Sequence, residues 1–380
     1  MILSGTRSLI LLLLLLFIFS SGTMIVYANN KTPSVAVAIS VRISPSAAYE
    51  HKTVLTDKAA LQLLKGSKEE KAEHSTGLSD IFITIIQHDK TSQFQMEKSG
   101  ALWNETELTR LVLARKATKQ LQAHAGSLRA SHYGSIPPWS EVSKQLPRKS
   151  MFSIIDMDKG LVFRAQRRAG SKHADVQPLT KEDTKTMKQI FDDRWSWDRR
   201  AIIVIMENNT RIAASMNGMP HGGDGIPDNG FSGHFCIHFL GSTTHRSVHP
   251  DLFHQLMVYT AAGKRDEFLN SLSPNELAQT FIGALSQRNS DFLKIVMKDA
   301  NSEVVNTFLN ELKGETAFRI VYKKRSALKD KTYGLTEQLV MPVFMKRKNK
   351  PEQSTPLQFD FVRESVYSPW RIMNVQFTQD

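Results

Sequence analysis

The sequence predicts an α+β protein, laid out as a leader followed by three modules of mixed secondary structure. Three observations lead there. Strand-like alternation in the first module (SVAVAISVRI at 34–43, DIFITIIQ at 80–87) sits beside helix-like stretches. Paired apolar runs joined by short turn sequences dominate the middle. A capped helical run followed by four strand-like runs closes the chain. A chain of 380 residues, 41% of them hydrophobic, is long enough to form two or three cores.

The start reads as a secretory signal peptide over 1–28. Arg7 precedes the apolar run Ser8–Phe19, small and polar residues follow, and Val26-Tyr27-Ala28 offers a cleavage boundary. The competing reading is an uncleaved anchor, because Leu9–Tyr27 is 19 residues long and nearly free of charge. Ser20, Ser21, Gly22 and Thr23 weaken such a span, so the expectation is a secreted, cell-envelope protein with no transmembrane segment after cleavage. Loss of Arg7 with the leader lowers the formal net charge from +12 to +11. An exported protein this basic is expected to meet peptidoglycan or another anionic envelope polymer, and nucleic acid is a poor fit. The single cysteine, Cys236, excludes an internal disulfide. Such a thiol is buried and inert, or it is a nucleophile or a ligand.

The first module, 33–130, pairs the strands at 34–43 and 80–87 with a helix at 57–64, a charged loop at 65–76 and a basic helix at 106–125. Arg110, Arg115, Lys116 and Lys119 mark that helix, with Asn104 or Thr106 as its cap. Residues 135–149, SIPPWSEVSKQLPRK, read as a linker because three prolines interrupt any periodicity. The central module, 150–263, is mostly β. It holds one hairpin across Asp158-Lys159-Gly160 and another across Asn208-Asn209, with helices at 183–191 and 250–262. Trp195 and Trp197 are expected to pack as a rim over its sheet. In the last module, 273–380, Ser273-Pro274-Asn275-Glu276 is a helix start with cap, proline and capping-box glutamate in order. Helices then run to Leu312, and strands follow at 318–323, 335–345, 357–362 and 370–377, which suggests an α+β cone around a curved antiparallel sheet.

The chemistry concentrates in Gly218–His245, which holds the sole cysteine and four of the twelve histidines. Residues 221–233 are rich in Gly, Pro, Asp and Asn and read as a loop. Residues 234–240, HFCIHFL, read as a strand, which puts His234, Cys236 and His238 on one face and Phe235, Ile237 and Phe239 on the other. Three readings compete. In the first, Cys236 is a nucleophile with His221 brought back as its base, and positively charged His234 and His238 lower the thiol pKa. Gly222, Gly233, Ser242 and His245 are then candidate substrate contacts, and no cofactor is needed. In the second, zinc is held by His234, Cys236 and His238, with Asp224 or His221 completing a tetrahedron. His173 and Asp175, in KHAD, offer a further ligand pair from a distant loop. In the third, the cysteine and histidines are simply packed and satisfied.

The order His221-Gly222, a Gly-rich interval, then Gly233-His234-Phe235-Cys236-Ile237-His238 resembles the signature of the L,D-transpeptidase (YkuD-type) catalytic domain. Gly233 stands where that signature has Ser or Thr, Phe235 where it has Gly, and His238 where it has Arg or Asn. The resemblance implies a mostly-β domain, Cys236 as nucleophile and His221 as base, and acyl transfer or hydrolysis on peptidoglycan stem peptides. The element order of the last module and its closing SPWRIMNV are similar to nuclear-transport-factor-like (cystatin-like) domains, which implies a binding or scaffolding role there.

Overall fold

Alternating Val, Ile and Ala in VAVAISV give a strand that is buried along almost its whole length, β1 (Val35–Val41), at the interior of a seven-stranded sheet. The computed structural model describes residues 34–75, 77–88, 90–223, 225–244, 249–314, 316–320 and 334–378. The leader expected at 1–28 lies outside these residues. The sheet continues with β2 (His51–Thr56), β3 (Lys68–Lys71), β4 (Leu78–Gln87), β5 (Lys90–Glu97), β6 (Leu102–Asn104) and β7 (Thr109–Val112), in the order β2-β1-β4-β5-β6-β7-β3. Helices α1 (Asp57–Leu64) and α2 (Arg115–His132) cover it, and α2 lays Ala117, Leu121 and Ala125 on the sheet at four-residue spacing.

Two expectations for this module are corrected. The basic helix starts at Arg115 rather than Thr106, because residues 109–112 are strand β7, paired to β3 and β6. The Asn104 carboxamide does accept the N–H groups of Thr106 and Glu107, but it caps the β6–β7 turn and not a helix. The charged loop at 65–76 contains β3, whose four residues KEEK are all exposed. An edge strand of this kind has no buried face, so it leaves no alternation in the sequence, and its charges discourage pairing with another chain.

The middle of the chain closes a six-stranded antiparallel barrel. Its strands are β8 (Met151–Asp156), β9 (Val162–Ala169), β10 (Ala174–Pro178), β11 (Arg200–Met206), β12 (Arg211–Met216) and β13 (Phe235–His238), in the order β10-β13-β12-β11-β8-β9. Phe163, Ile202, Val204, Ile212, Phe235 and Ile237 fill the interior. A barrel this narrow is packed with side chains, so its chemistry has to sit on the outside. The expected linker at 135–149 is instead part of this body. It carries α3 (Trp139–Gln145), with Val142 and Leu146 buried in the barrel cluster and Trp139 stacked 5.6 Å from Phe239. The Trp139 N–H donates to the Leu240 carbonyl at 2.8 Å, so the prolines there shape turns that dock the segment. Helix α4 (Lys181–Ile190) follows β10 and starts on a Thr180–Asp183 capping box.

Helices α5 (Leu252–Ala261), α6 (Arg265–Ser271), α7 (Pro274–Ser286), α8 (Ser290–Val296) and α9 (Ser302–Lys313) come next. The helix start read at Ser273 is present, with the Glu276 N–H donating to the Ser273 hydroxyl and the Ser273 N–H donating to the Glu276 carboxylate. The described C-terminal strands are β14 (Ala317–Ile320), β15 (Thr336–Met341), β16 (Val343–Lys346), β17 (Gln353–Ser354), β18 (Leu357–Val362) and β19 (Arg371–Phe377). They form two three-stranded sheets, β14-β16-β17 and β15-β18-β19, rather than one. The strand expected at 335–345 is cut at Pro342, which has no N–H for a ladder, and its halves enter different sheets. Residues 321–323 of the strand expected at 318–323 lie outside the described residues. One apolar cluster joins Ile155, Ile203 and Ala213 of the barrel to Leu256 of α5, Phe281 of α7 and Phe359 of β18. Among the described residues, no helix is long and apolar enough to cross a membrane.

Candidate active site around Cys236

Strand β13 separates its two faces as the sequence predicts. Phe235 and Ile237 enter the barrel core, while Cys236 and His238 lie on the opposite side, where α5 packs. On one flank β10 sets Asp175 directly across from Cys236, and on the other β12 sets Ser215 across from His238. Directly opposed residues share a face, so the carboxylate lies beside the thiol.

His221 arrives from the Gly-rich loop. Its N–H donates to the His234 carbonyl at 2.9 Å and the His234 N–H donates back at 2.7 Å, closing the loop at its base. Two glycines permit this closure. Gly233 sits at φ +82°, and a Cβ there would fall 2.3 Å from the His221 carbonyl oxygen. Gly222 sits at φ +72°, and its Cβ would fall 2.2 Å from the His234 ring. Their presence is explained by this bridge, where a larger residue is excluded by the backbone and the ring.

The result is a thiol–imidazole pair. The Cys236 Sγ lies 3.2 Å from His221 Nε2, and His221 Nδ1 lies 2.8 Å from the Met219 carbonyl oxygen. A carbonyl only accepts, so Nδ1 carries the hydrogen and Nε2 turns its lone pair to the sulfur. The thiol therefore donates to His221. Burial pushes the Cys236 thiol well above its ordinary range, and the Asp175 charge pushes it the same way, while a hydrogen bond with the Asn217 side chain opposes them. The resting pair is thus a neutral thiol facing a base, not a thiolate formed in advance. Trp197, 51% exposed, stands 5.1 Å from the His221 ring and forms the rim of the site. Trp195 packs edge-on against Phe231.

The other expected residues divide. His234 is close, with its ring 4.4 Å from that of His221 and its Nε2 3.7 Å from Asp175 Oδ1. His238 does not serve as a charged neighbour of the thiol. It is buried in a column of rings, 3.8 Å from His254 and 4.7 Å from His173, and burial holds its pKa well below the ordinary histidine value, with His254 and His173 adding to the shift. Ser242 is fully buried, and its hydroxyl accepts the Phe239 N–H at 2.9 Å, so it closes a turn and does not reach a substrate. His245 and Asp224 lie outside the described residues.

The metal grouping expected from sequence is rearranged. His234 and His238 fall into different triads, His221–His234–Cys236 and His173–Cys236–His238, each with ligand atoms within 4.8 Å of one another. His173 and Asp175, read as a distant pair, are in fact beside Cys236. Sequence reasoning missed His254 and Asn217. His254 sits beside Gln255 in a largely apolar helix, and its Nδ1 lies 2.8 Å from the Ser215 hydroxyl. Asn217 follows β12 with no motif around it.

The buried imidazoles make stability depend on pH. Burial also lowers the pKa of His254 well below the ordinary value, and that of His132, at the end of α2, to about 3. A histidine whose folded pKa is depressed contributes its full stability above about pH 6.5, its unfolded value, and loses it as pH falls. The expected result in urea unfolding is lower stability at pH 5 than at pH 7, by up to about 1.4 kcal/mol per pH unit for each of the three histidines. An unfolding free energy that stays level across this window contradicts the assignment.

No protein-family model matches the chain, and no curated protein matches it either.

Proposed function

We propose that this protein is an exported thiol enzyme of the cell envelope that acts on peptidoglycan stem peptides by acyl transfer or hydrolysis, in the manner of L,D-transpeptidases. The observation that carries the reading is the 3.2 Å approach of Cys236 Sγ to His221 Nε2, with the opposite ring nitrogen tied to Met219. The resemblance around His221 and Cys236 supports the same assignment, and the mostly-β barrel that carries them agrees with it. His221 takes the thiol proton as the sulfur attacks the carbonyl carbon of an amide in the stem peptide. The C–N bond breaks, and the leaving amine receives that proton from His221. The thioester is then opened by an amine, which gives a cross-link, or by water, which gives hydrolysis. The test is turnover of a stem-peptide substrate by chelator-treated protein before and after alkylation of Cys236. Loss of turnover on alkylation supports the thiol reading, and unchanged turnover contradicts it.

A zinc hydrolase using His221, His234 and Cys236 is the second reading, favoured by the proximity of those three ligand atoms. Activity that disappears with chelator and returns with zinc selects it.

Export rests on the apolar run behind Arg7 and the boundary at Ala28. N-terminal sequencing of secreted material is expected to begin at Asn29, and intact protein from Met1 held in the membrane fraction contradicts this.

A further inference from the structure

The inner side of Cys236 carries a second constellation that acyl transfer does not use. His173 is 1% exposed, Cys236 3%, His238 2% and Asp175 6%. His173 Nδ1 lies 2.7 Å from the Thr243 carbonyl oxygen, so that nitrogen carries the hydrogen. His173 Nε2 lies 3.2 Å from Asp175 Oδ1. His238 adds a buried Nδ1 that makes no hydrogen bond among the described residues. Ligand atoms of His173, Cys236 and His238 all lie within 4.8 Å of one another.

We propose that a zinc ion binds here, held by His173, Cys236 and His238 with the Asp175 carboxylate beside His173, and that zinc-bound protein is a locked form in which the thiol cannot act as a nucleophile. Three arguments favour zinc. The donor set of two imidazoles and a thiolate suits a borderline-soft ion that takes three protein ligands and leaves its fourth position to solvent. The bond from His173 to a backbone carbonyl is the outer-shell contact that orients a ligating histidine. Charge also balances: thiolate and carboxylate together neutralise a divalent ion, which a buried site requires. On binding, the thiol proton is released to solvent and the sulfur lone pair that would attack a carbonyl is committed to the metal. His221 remains outside this set, on the loop side of the sulfur.

The site shares Cys236 with the proposed reaction but does not depend on that reaction, because binding is read without substrate. The probes are zinc, in competition with a chromophoric chelator, and cobalt(II), whose thiolate charge-transfer band reports a sulfur ligand. The expected result is one ion per chain, a cobalt–thiolate band that is absent in Cys236→Ser, and zinc affinity reduced by at least ~10-fold in His173→Gln and in His238→Gln. His221→Ala keeps its zinc affinity, and zinc protects Cys236 of the wild-type protein from alkylation. X-ray absorption of the wild-type zinc form needs no variant to fold, and it is expected to show one sulfur at about 2.3 Å with three nitrogen or oxygen ligands. Absence of sulfur from that shell overturns the proposal, as does full zinc affinity in both inner-histidine variants. Affinity lost in His221→Ala but kept in His238→Gln also overturns it, by moving the ion to the loop-side triad. Protein that binds no zinc still leaves the Cys236–His221 reaction open, and inactive protein that binds zinc leaves this site standing.

Discussion

Cys236→Ser is expected to abolish turnover of a stem-peptide substrate while the protein keeps its fold. The side chain is 3% exposed, and replacing sulfur by oxygen changes its size little, so packing against β10 and β12 survives. A serine hydroxyl is a far weaker nucleophile without a base strong enough to deprotonate it, and the neighbouring Asp175 charge opposes anion formation at this position. His221→Ala is expected to slow turnover by ~10²–10⁴-fold, the usual contribution of a general base. The fold tolerates that change too, since the bridge between residues 221 and 234 is made by main-chain groups. Turnover assays with circular dichroism as a folding control check both variants. Wild-type rates in His221→Ala contradict the assigned base. Arginine at position 238 is a different matter, because His238 lies inside a stack of rings where a guanidinium has no solvent to reach.

Asp156→Ala is expected to give a large loss of stability, on the order of 3–5 kcal/mol. Asp156 has no exposed surface and takes two bonds from Arg200, Nε at 2.9 Å and Nη2 at 2.7 Å. Its Oδ1 also accepts the N–H groups of Asp158 at 3.2 Å and Lys159 at 2.7 Å, which shape the β8–β9 turn. Asp156 pairs with Ile202 across β8 and β11, so the ion pair sits on a seam of the barrel. Removing the carboxylate leaves a largely buried guanidinium with Asp158, 3.1 Å away, as its one remaining ion-pair partner among the described residues, and two turn amides without that acceptor. Urea unfolding of the variant against the wild type measures the change. A difference below about 1 kcal/mol puts the pair in the class of exposed salt bridges and contradicts this account.

Much of this was legible from residue pattern alone. Alternation marked β1, β4 and the barrel hairpins, because each has one face that must be buried. Ser273, Pro274 and Glu276 marked α7, because a cap is a local event. What failed was set by longer-range contacts. The segment around Trp139 looks like a break until Phe239 and Leu240 are placed against it. Strand β3 has no buried side to betray it. At the site, Cys236 and His221 could be paired from sequence because one loop joins them. The remaining neighbours could not, since β13 lies between β10 and β12 and the barrel order does not follow the chain. Asp175 therefore meets Cys236 across 61 residues of sequence, and His254 reaches His238 only because α5 folds back over the strand.

The central claim is that Cys236 becomes acylated, and intact-protein mass spectrometry under turnover tests it most directly. Chelator-treated protein is mixed with a stem-peptide donor, quenched in acid and digested to locate any adduct. The account predicts a mass increase equal to the acyl portion of the donor, on the peptide carrying Cys236, and none in Cys236→Ser. Turnover of the donor with no acyl adduct on Cys236, or with the same rate after that thiol is alkylated, contradicts it.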